Sequence, residues 1–294
     1  MTGVALAAVA GVGFGLFQSV NRAALRGMDA YASTFLQVLV SAAILVAVSL
    51  AAGDPGRLAA APASAWWRFA AAGLVHFSVG WTLLNLSQQR LGAARTSPLL
   101  ATVPLFGVVI AAVALQEVPS ALELGGMGLM VGGVYAIEVD RAGGWRSSSA
   151  TVAWTASLFG LGTALCWAVS PILIRQGLRD LPSPLLGVTI GLVAATLAYG
   201  LALPLRRRGL RFTREALAWK LAAGGLVAVS TWARWSSVAL VPVAVVLALG
   251  LLSVPTVLAA APALVGRQAE RVTAPVLAGS ALIVAGALVI GAGS

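Results

Sequence analysis

Trp67-Arg68-Phe69-Ala70-Ala71-Ala72-Gly73-Leu74-Val75 returns, 152 residues later, as Trp219-Lys220-Leu221-Ala222-Ala223-Gly224-Gly225-Leu226-Val227. Each copy opens on a Trp-basic pair and continues as an apolar run. Trp and Lys/Arg prefer the membrane–water interface, and the run behind them suits hydrocarbon. The spacing is about half of the 294 residues, so the chain reads as two copies of one membrane unit.

Composition agrees. Sixty per cent of the residues are hydrophobic and ten per cent charged, against about a quarter charged in a soluble domain. The net charge of +10 sits between apolar runs, where it orients the chain, and is not a nucleic-acid footprint. One cysteine, Cys166, and one histidine, His76, leave no disulfide framework and no multi-ligand metal site. The N-terminal run Val4 to Val20 lacks a basic n-region, is long and glycine-studded, and is read as a first span rather than a cleavable signal.

Ten candidate spans follow: 3–26, 30–52, 66–88, 94–116, 121–139, 151–175, 183–204, 216–238, 240–262 and 273–292. Most exceed the ~20 residues that a helix needs to cross the hydrocarbon. Asp140 to Ser149, rich in Gly, Ser and Arg, separates a first five-helix unit (1–142) from a second (143–294). Gly11-x-Gly13 and Arg26 align with Gly160-x-Gly162 and Arg175 at an offset of 149. Glu117, Gly126 and Gly133 align with Glu270, Gly279 and Gly286 at 153. Loop insertions account for such small changes of offset. An odd number of spans per unit makes the second copy enter from the opposite side. The expected fold is therefore an all-α membrane protein of ten transmembrane helices in two inverted five-helix repeats, with a site between the halves near mid-membrane.

The loops after odd-numbered spans hold fourteen Lys/Arg, among them Arg22, Arg206, Arg207, Arg208 and Lys220; the other side holds Arg57, Arg68, Arg175 and Arg179. The positive-inside rule then puts both termini outside.

Pro98 and Pro104, then Leu115-Gln116-Glu117, then Gly126 and Gly133, with Pro255, Glu270, Gly279 and Gly286 in the second half, resemble the EamA branch of the drug/metabolite transporter superfamily. The pattern is a proline-bearing helix, a Glu at its end and a glycine-spaced helix. The resemblance spans essentially the whole chain and implies ten spans in two repeats, transport of small organic metabolites, and export. It also implies both termini in the cytoplasm, against the charge count.

Polar groups inside hydrocarbon are costly and are the candidate functional residues. Ser78, Trp81, Asn85, Gln88 and Gln89 share about 100° of helical arc, and Ser230, Arg234 and Ser237 about 60°. Ser78 matches Ser230 and Asn85 matches Ser237 at the repeat offset, so two polar faces are expected across a shared cavity; interhelical bonding is the plainer alternative. Arg234, between Trp232 and Trp235, either clamps a carboxylate or phosphate or snorkels to the interface. Gln18 and Trp167 occupy matched positions on glycine-bearing faces, as do Asn21 and Ser170, and Pro171 breaks the sixth span. His76 points away from the Ser78–Asn85 face and bonds a neighbouring helix or exchanges protons. Glu117 and Glu270, at span ends, are interfacial structural or gating groups. Gly128-x-x-x-Gly132 and Gly187-x-x-x-Gly191 mark packing inside the bundle or a dimer contact, so monomer and homodimer both stand.

No span core holds Asp or Glu, and no P-loop, acid–His pair or cofactor motif occurs, which argues against catalysis and proton-coupled cation export. The expectation is a plasma (inner) membrane carrier of amino acids, aromatic compounds or organic anions, acting by facilitated diffusion or exchange. Its cavity would be lined by Gln18, Asn21, Ser78, Trp81, Asn85, Trp167, Ser230 and Arg234, with Trp232 a further aromatic. The alternative, a translocator of phosphorylated or lipid-linked substrates, needs a second inward cation.

Overall fold

The computed structural model describes residues 2–52, 56–57, 60–114, 120–141, 150–203 and 210–293. Glu117 and the Arg206-Arg207-Arg208 run lie outside the described residues. The described chain is helical, with one isolated antiparallel bridge, Met28 to Phe212. Helices α1 (Gly3–Ala24) and α2 (Ala30–Ala51) are followed by α3 (Ala63–Gly73), a π-helical segment (Leu74–Gly80) and α4 (Trp81–Leu91), which form one continuous rod. Next come α5 (Ala93–Leu100), α6 (Val103–Ala114) and α7 (Ala121–Arg141). The second half holds α8 (Ala150–Asp180), α9 (Pro184–Ala202), α10 (Arg214–Leu240), α11 (Val243–Gly250), α12 (Ser253–Val265) and α13 (Ala274–Gly293).

Eight helices or helix pairs are long and apolar enough to cross a membrane, and two shorter apolar helices, Ala121–Ile137 and Ala274–Ile290, accompany them. All ten coincide with the expected spans. Large apolar side chains lie on the outer surface, Leu50, Leu197 and Leu201 among them, as a lipid-facing surface requires. Helix starts are set by short polar caps: the Asp29 carboxylate accepts the Tyr31 and Ala32 amides, and the Ser183 hydroxyl accepts the Leu186 amide with Pro184 in the first turn.

The bundle has two ends. At the Glu270 end α1, α4 and α12 finish while α5 and α10 begin; at the Asp180 end α8 and α10 finish while α3 and α11 begin. Helix α1 runs along α10 and crosses α11 and α12, and α8 runs along the α3–α4 rod and crosses α5 and α6. Small residues permit these approaches. Gly11 faces the Leu249 backbone of α11 and Gly15 faces Thr256 of α12; Gly160 faces Leu99, and Gly177 faces Phe69.

Two helices are broken, whereas α8 runs unbroken through Pro171, where a local break was expected. The chain unwinds at Ala101–Thr102 between α5 and α6, and at Leu251–Leu252 between α11 and α12. Pro104 and Pro255 stand just beyond the breaks and lack the amide that would continue the ladder. The Thr102 amide and hydroxyl both donate to the Leu99 carbonyl, at 3.2 and 2.7 Å, tightening the turn at the break.

Helices α7 and α13 cross through reciprocal glycines. A side chain at Gly126 would meet the Gly286 carbonyl and one at Gly133 the Gly279 carbonyl, and the converse holds at Gly279 and Gly286. Gly187 and Gly191 pack on Phe69 and Gly73, inside the bundle, whereas Gly128 and Gly132 face open space. Gly133→Leu should therefore overpack the crossing, by ~1–3 kcal/mol, and lower the thermal midpoint in detergent by several degrees. Gly128→Leu should leave the midpoint unchanged in a monomer; a comparable fall there would place a partner on that face.

Candidate functional site

The two breaks meet α1, α8 and α10 around a small cavity of about 40 Å³. Its wall takes Leu100, Ala101, Val103 and Pro104 from the first break and Gly250, Leu251 and Ser253 from the second. Arg234 of α10, Gln18 and Phe14 of α1 and Trp167 of α8 complete it. Val103, Trp167 and Leu247 also border a larger cavity of about 410 Å³, lined further by Pro171, Ile172, Arg175, Gln176 and Arg179. This vestibule follows α8 toward the Asp180 end. Trp167 stands between the two chambers.

The Arg234 side chain is 9% exposed and has no hydrogen bond or carboxylate partner among the described residues. A desolvated guanidinium with free donors is expensive unless an anion or water completes it. Buried polar atoms beside it also lack partners: Gln18 Oε1 and Trp167 Nε1 on the cavity wall, and Nε2 of His76, which stacks on Trp167. Native interiors leave few such atoms, so their convergence marks a place that a polar ligand or water fills. The His76 ring stacks on Trp167, with centroids 5.2 Å apart and planes 12° apart, and its Nδ1 shares a 2.8 Å hydrogen bond with the Ser170 hydroxyl. Trp167 in turn touches Phe14, with ring centroids 5.9 Å apart. The cavity floor is thus a rigid aromatic wall backed by histidine.

Several expected site residues fall elsewhere. Ser78 lines an outward groove with Tyr31, Thr82 and Tyr199, and Ser230 bonds the Leu226 carbonyl at the α1–α10 crossing, beneath Gly13. Trp81 is buried among Phe17, Phe77 and His76. For Ser78 and Trp81 the cause lies in the π-helical segment Leu74–Gly80. Its wider turns break the 100° step on which the common face of Ser78, Trp81 and Asn85 was computed. His76 points toward the cavity wall and Ser78 away from it. Trp232 is 37% exposed and faces outward, whereas Trp235 is buried against Phe69 and Phe77.

Asn21 and Asn85 belong to a sealed cluster at the Glu270 end, built around a residue that the sequence reading assigned to the interface. Lys220 is fully buried. Its ammonium donates to Asn21 Oδ1 and, at 2.6 Å, to Gln37 Oε1. Asn21 Nδ2 donates to Asn85 Oδ1 and Gln88 Oε1, each at 2.8 Å, and Asn85 Nδ2 donates to Thr34 Oγ1 at 2.8 Å. Ser33, Thr34, Gln37 and Ser41 of α2, all fully buried, were the overlooked signal: a polar stripe at i, i+1, i+4 and i+8 in an otherwise apolar helix.

Glu270, between the ends of α12 and α13, is also buried. Its Oε1 accepts Arg22 Nε–H at 2.6 Å and its Oε2 accepts the Ala94 amide at 3.0 Å, under Gly92, whose φ of +81° suits glycine. The Met28 carbonyl takes Gln89 Nε2 at 2.8 Å, and the Gly27 carbonyl takes the Thr213 amide at 2.9 Å. The Glu270 end is closed by these bonds. At the other end Arg68 and Ser64 bond Asp180 beside the open vestibule.

Residues 1–139 match the profile of the EamA-like transporter family, within the drug/metabolite transporter superfamily. Over this first half the chain is similar to that family. No curated protein matches it. Eleven solved chains match; one crystal structure, 20% identical, covers 97% of this chain and is itself covered over 96%, with a TM-score of 0.65. At that identity the likeness speaks to the fold. The EamA-like chain is a multi-pass membrane protein, and the family likeness points to a transporter of small molecules rather than an enzyme.

In this EamA-like chain Glu270→Gln should loosen the closed end. A neutral amide cannot accept both Arg22 and the Ala94 amide with full charge assistance. The expected loss is ~2–3 kcal/mol, seen as a thermal midpoint lower by several degrees. An unchanged midpoint would show that the pair does not hold this end.

Proposed function

We propose that the protein is a secondary transporter of small carboxylate-bearing metabolites, such as amino acids or aromatic acids, working by alternating access between two inverted five-helix repeats. The observation that carries this is Arg234: a buried, unpaired guanidinium in a cavity walled by Trp167 and Phe14 and bordered by two helix breaks. A guanidinium grips a carboxylate through two parallel bonds, a flat ring accepts an aromatic or apolar body, and unwound helices at mid-membrane are where carriers hold substrate. Arg175 and Arg179 give the vestibule a positive lip that would draw an anion inward.

The inverted repeat is supported by matched contacts. Helix α1 meets α10 and the α11–α12 break as α8 meets the α3–α4 rod and the α5–α6 break. Pro104 and Pro255 stand at equivalent places, 151 residues apart, and α7 and α13 cross through equivalent glycines. With domains at 1–142 and 143–294, Arg22 of the closed end corresponds to Pro171 of the vestibule, 149 residues on. Proline cannot form the ion pair that shuts the Glu270 end, which favours a state open at the Asp180 end.

In the transport cycle a carboxylate entering the vestibule passes Trp167, pairs with Arg234 and relieves its desolvation. Rocking of the halves about the breaks would close the Asp180 end and part Arg22 from Glu270. No acid is available among the residues lining the cavity, so facilitated diffusion or exchange is the simplest energetics. Counterflow in proteoliposomes without an ion gradient, over amino acids, aromatic acids and amines, is expected to reveal exchange of carboxylates. Arg234→Gln should lower that exchange ~100-fold, the scale for removing one partner of a desolvated charge pair, while leaving a folded protein. Undiminished carboxylate exchange by Arg234→Gln would remove Arg234 from the site.

The charge count places the Asp180 end outside, which makes the vestibule outward-facing in the plasma (inner) membrane; the export direction implied by the family then corresponds to substrate leaving through it. Arg179→Cys in intact cells is expected to react with a membrane-impermeant maleimide. Reaction only after permeabilisation would reverse the orientation and put both termini in the cytoplasm.

A further inference from the structure

The Lys220 cluster has a surplus of hydrogen-bond donors. An ammonium offers three donors and no acceptor, and its bonds fix the orientation of every amide around it. Asn21 must turn Oδ1 to Lys220, so its Nδ2 faces Asn85 and Gln88 and takes their oxygens. Gln37 must also turn its oxygen to Lys220. The amide nitrogens of Gln37 and Gln88 are then left over, buried and without partners. Lys220 itself has only two acceptors, both neutral, and its ammonium lies 6.0 Å from the Phe17 ring centroid. One buried positive charge, two orphaned amide nitrogens and no carboxylate partner among the described residues define a site short of an anion.

Its place in the fold is equally specific. Lys220 and Arg234 lie on the same helix, fourteen residues or roughly 21 Å apart, so one small carboxylate cannot bridge them. Helix α1 connects the two: Gln18 lines the Arg234 cavity, and Asn21, three residues on, binds Lys220. The cavity opens toward the Asp180 end, and the Lys220 cluster lies toward the Glu270 end, behind the Arg22–Glu270 pair.

We propose that Lys220, with Gln37 and Gln88, is a second carboxylate-binding station on the transport route, filled after the Glu270 end opens and Arg234 releases its ligand. Two cationic stations at different depths let a carboxylate cross mid-membrane without losing its counter-charge. The station rests on the carrier reading above, and its test separates the two.

The test is thermal unfolding in detergent, with sodium benzoate as probe and sodium chloride at equal ionic strength as reference. Benzoate is expected to raise the midpoint of the wild type, Arg234→Gln and Lys220→Gln to keep part of that shift, and the double variant to lose it. Complete loss in Arg234→Gln alone would overturn the Lys220 station and leave the Arg234 site standing. A full shift in Arg234→Gln that Lys220→Gln abolishes would overturn the Arg234 site and sustain the station. No shift in the wild type would overturn both. Should Lys220→Gln fail to fold, Gln37→Glu in the Arg234→Gln background approaches the same surplus from the other side. A carboxylate supplied within the chain should raise the midpoint by itself and abolish the residual benzoate shift. A residual shift that survives Gln37→Glu would overturn the station.

Discussion

A backbone carbonyl in hydrocarbon has no water to turn to, and the whole arrangement follows from where this chain breaks that rule. Helices α5–α6 and α11–α12 unwind at mid-length beside Pro104 and Pro255. Such breaks survive only where protein or a polar cavity covers them. Glycines on α1 and α8 bring those helices close enough to cover the breaks from both sides, and the space left between them is the Arg234 cavity. The proline that ends one hydrogen-bond ladder thus also locates the cavity.

Buried charge divides the bundle into an open and a closed half. Arg22 and Glu270 neutralise each other, and Glu270 also takes a backbone amide. This pair can be sealed because both of its members are satisfied. Arg234 has no such partner among the described residues, so its chamber is stable only while something polar has access to it, and the vestibule beyond Trp167 gives that access. Lys220 is the intermediate case, sealed but held by neutral oxygens alone.

The helical scaffold was legible because hydropathy and Gly/Pro punctuation act locally: every expected span coincides with a helix or helix pair. The inward placement of Gln18 and Trp167 on one cavity wall was legible for a related reason, since polar and aromatic residues on a glycine-bearing face must turn to other protein. The failures came from non-local effects. A seven-residue π segment shifted Ser78 outward and His76 inward, and no propensity in Leu74–Gly80 announces it. The Trp-basic pair was read as interfacial in both copies. That holds for Trp67 and Arg68, which are solvent-accessible, with Arg68 bonded to Asp180 at the rim. It fails for Lys220, because the polar stripe of α2 that receives it lies nearly two hundred residues away in sequence.

The departures from symmetry between the halves carry more information than the symmetry. Under an inverted repeat with identical halves, the two end-closed states would have equal energy, and each cationic position would have a twin. Here Arg234 matches Thr82, Arg22 matches Pro171 and Lys220 matches Arg68. The first difference confines the cavity's positive charge to one side. The second gives the Glu270 end an ion pair that the Asp180 end cannot copy. The third sets a part-buried, acid-paired cation at the open end against a fully buried one, with no acid partner among the described residues, at the closed end. Rocking to the opposite state would have to hydrate Lys220 and desolvate Arg68 together with Asp180, an ion pair already neutralised. The cost of the two states is therefore unequal, and a carboxylate bound at the Lys220 cluster is the simplest agent that would bring them level.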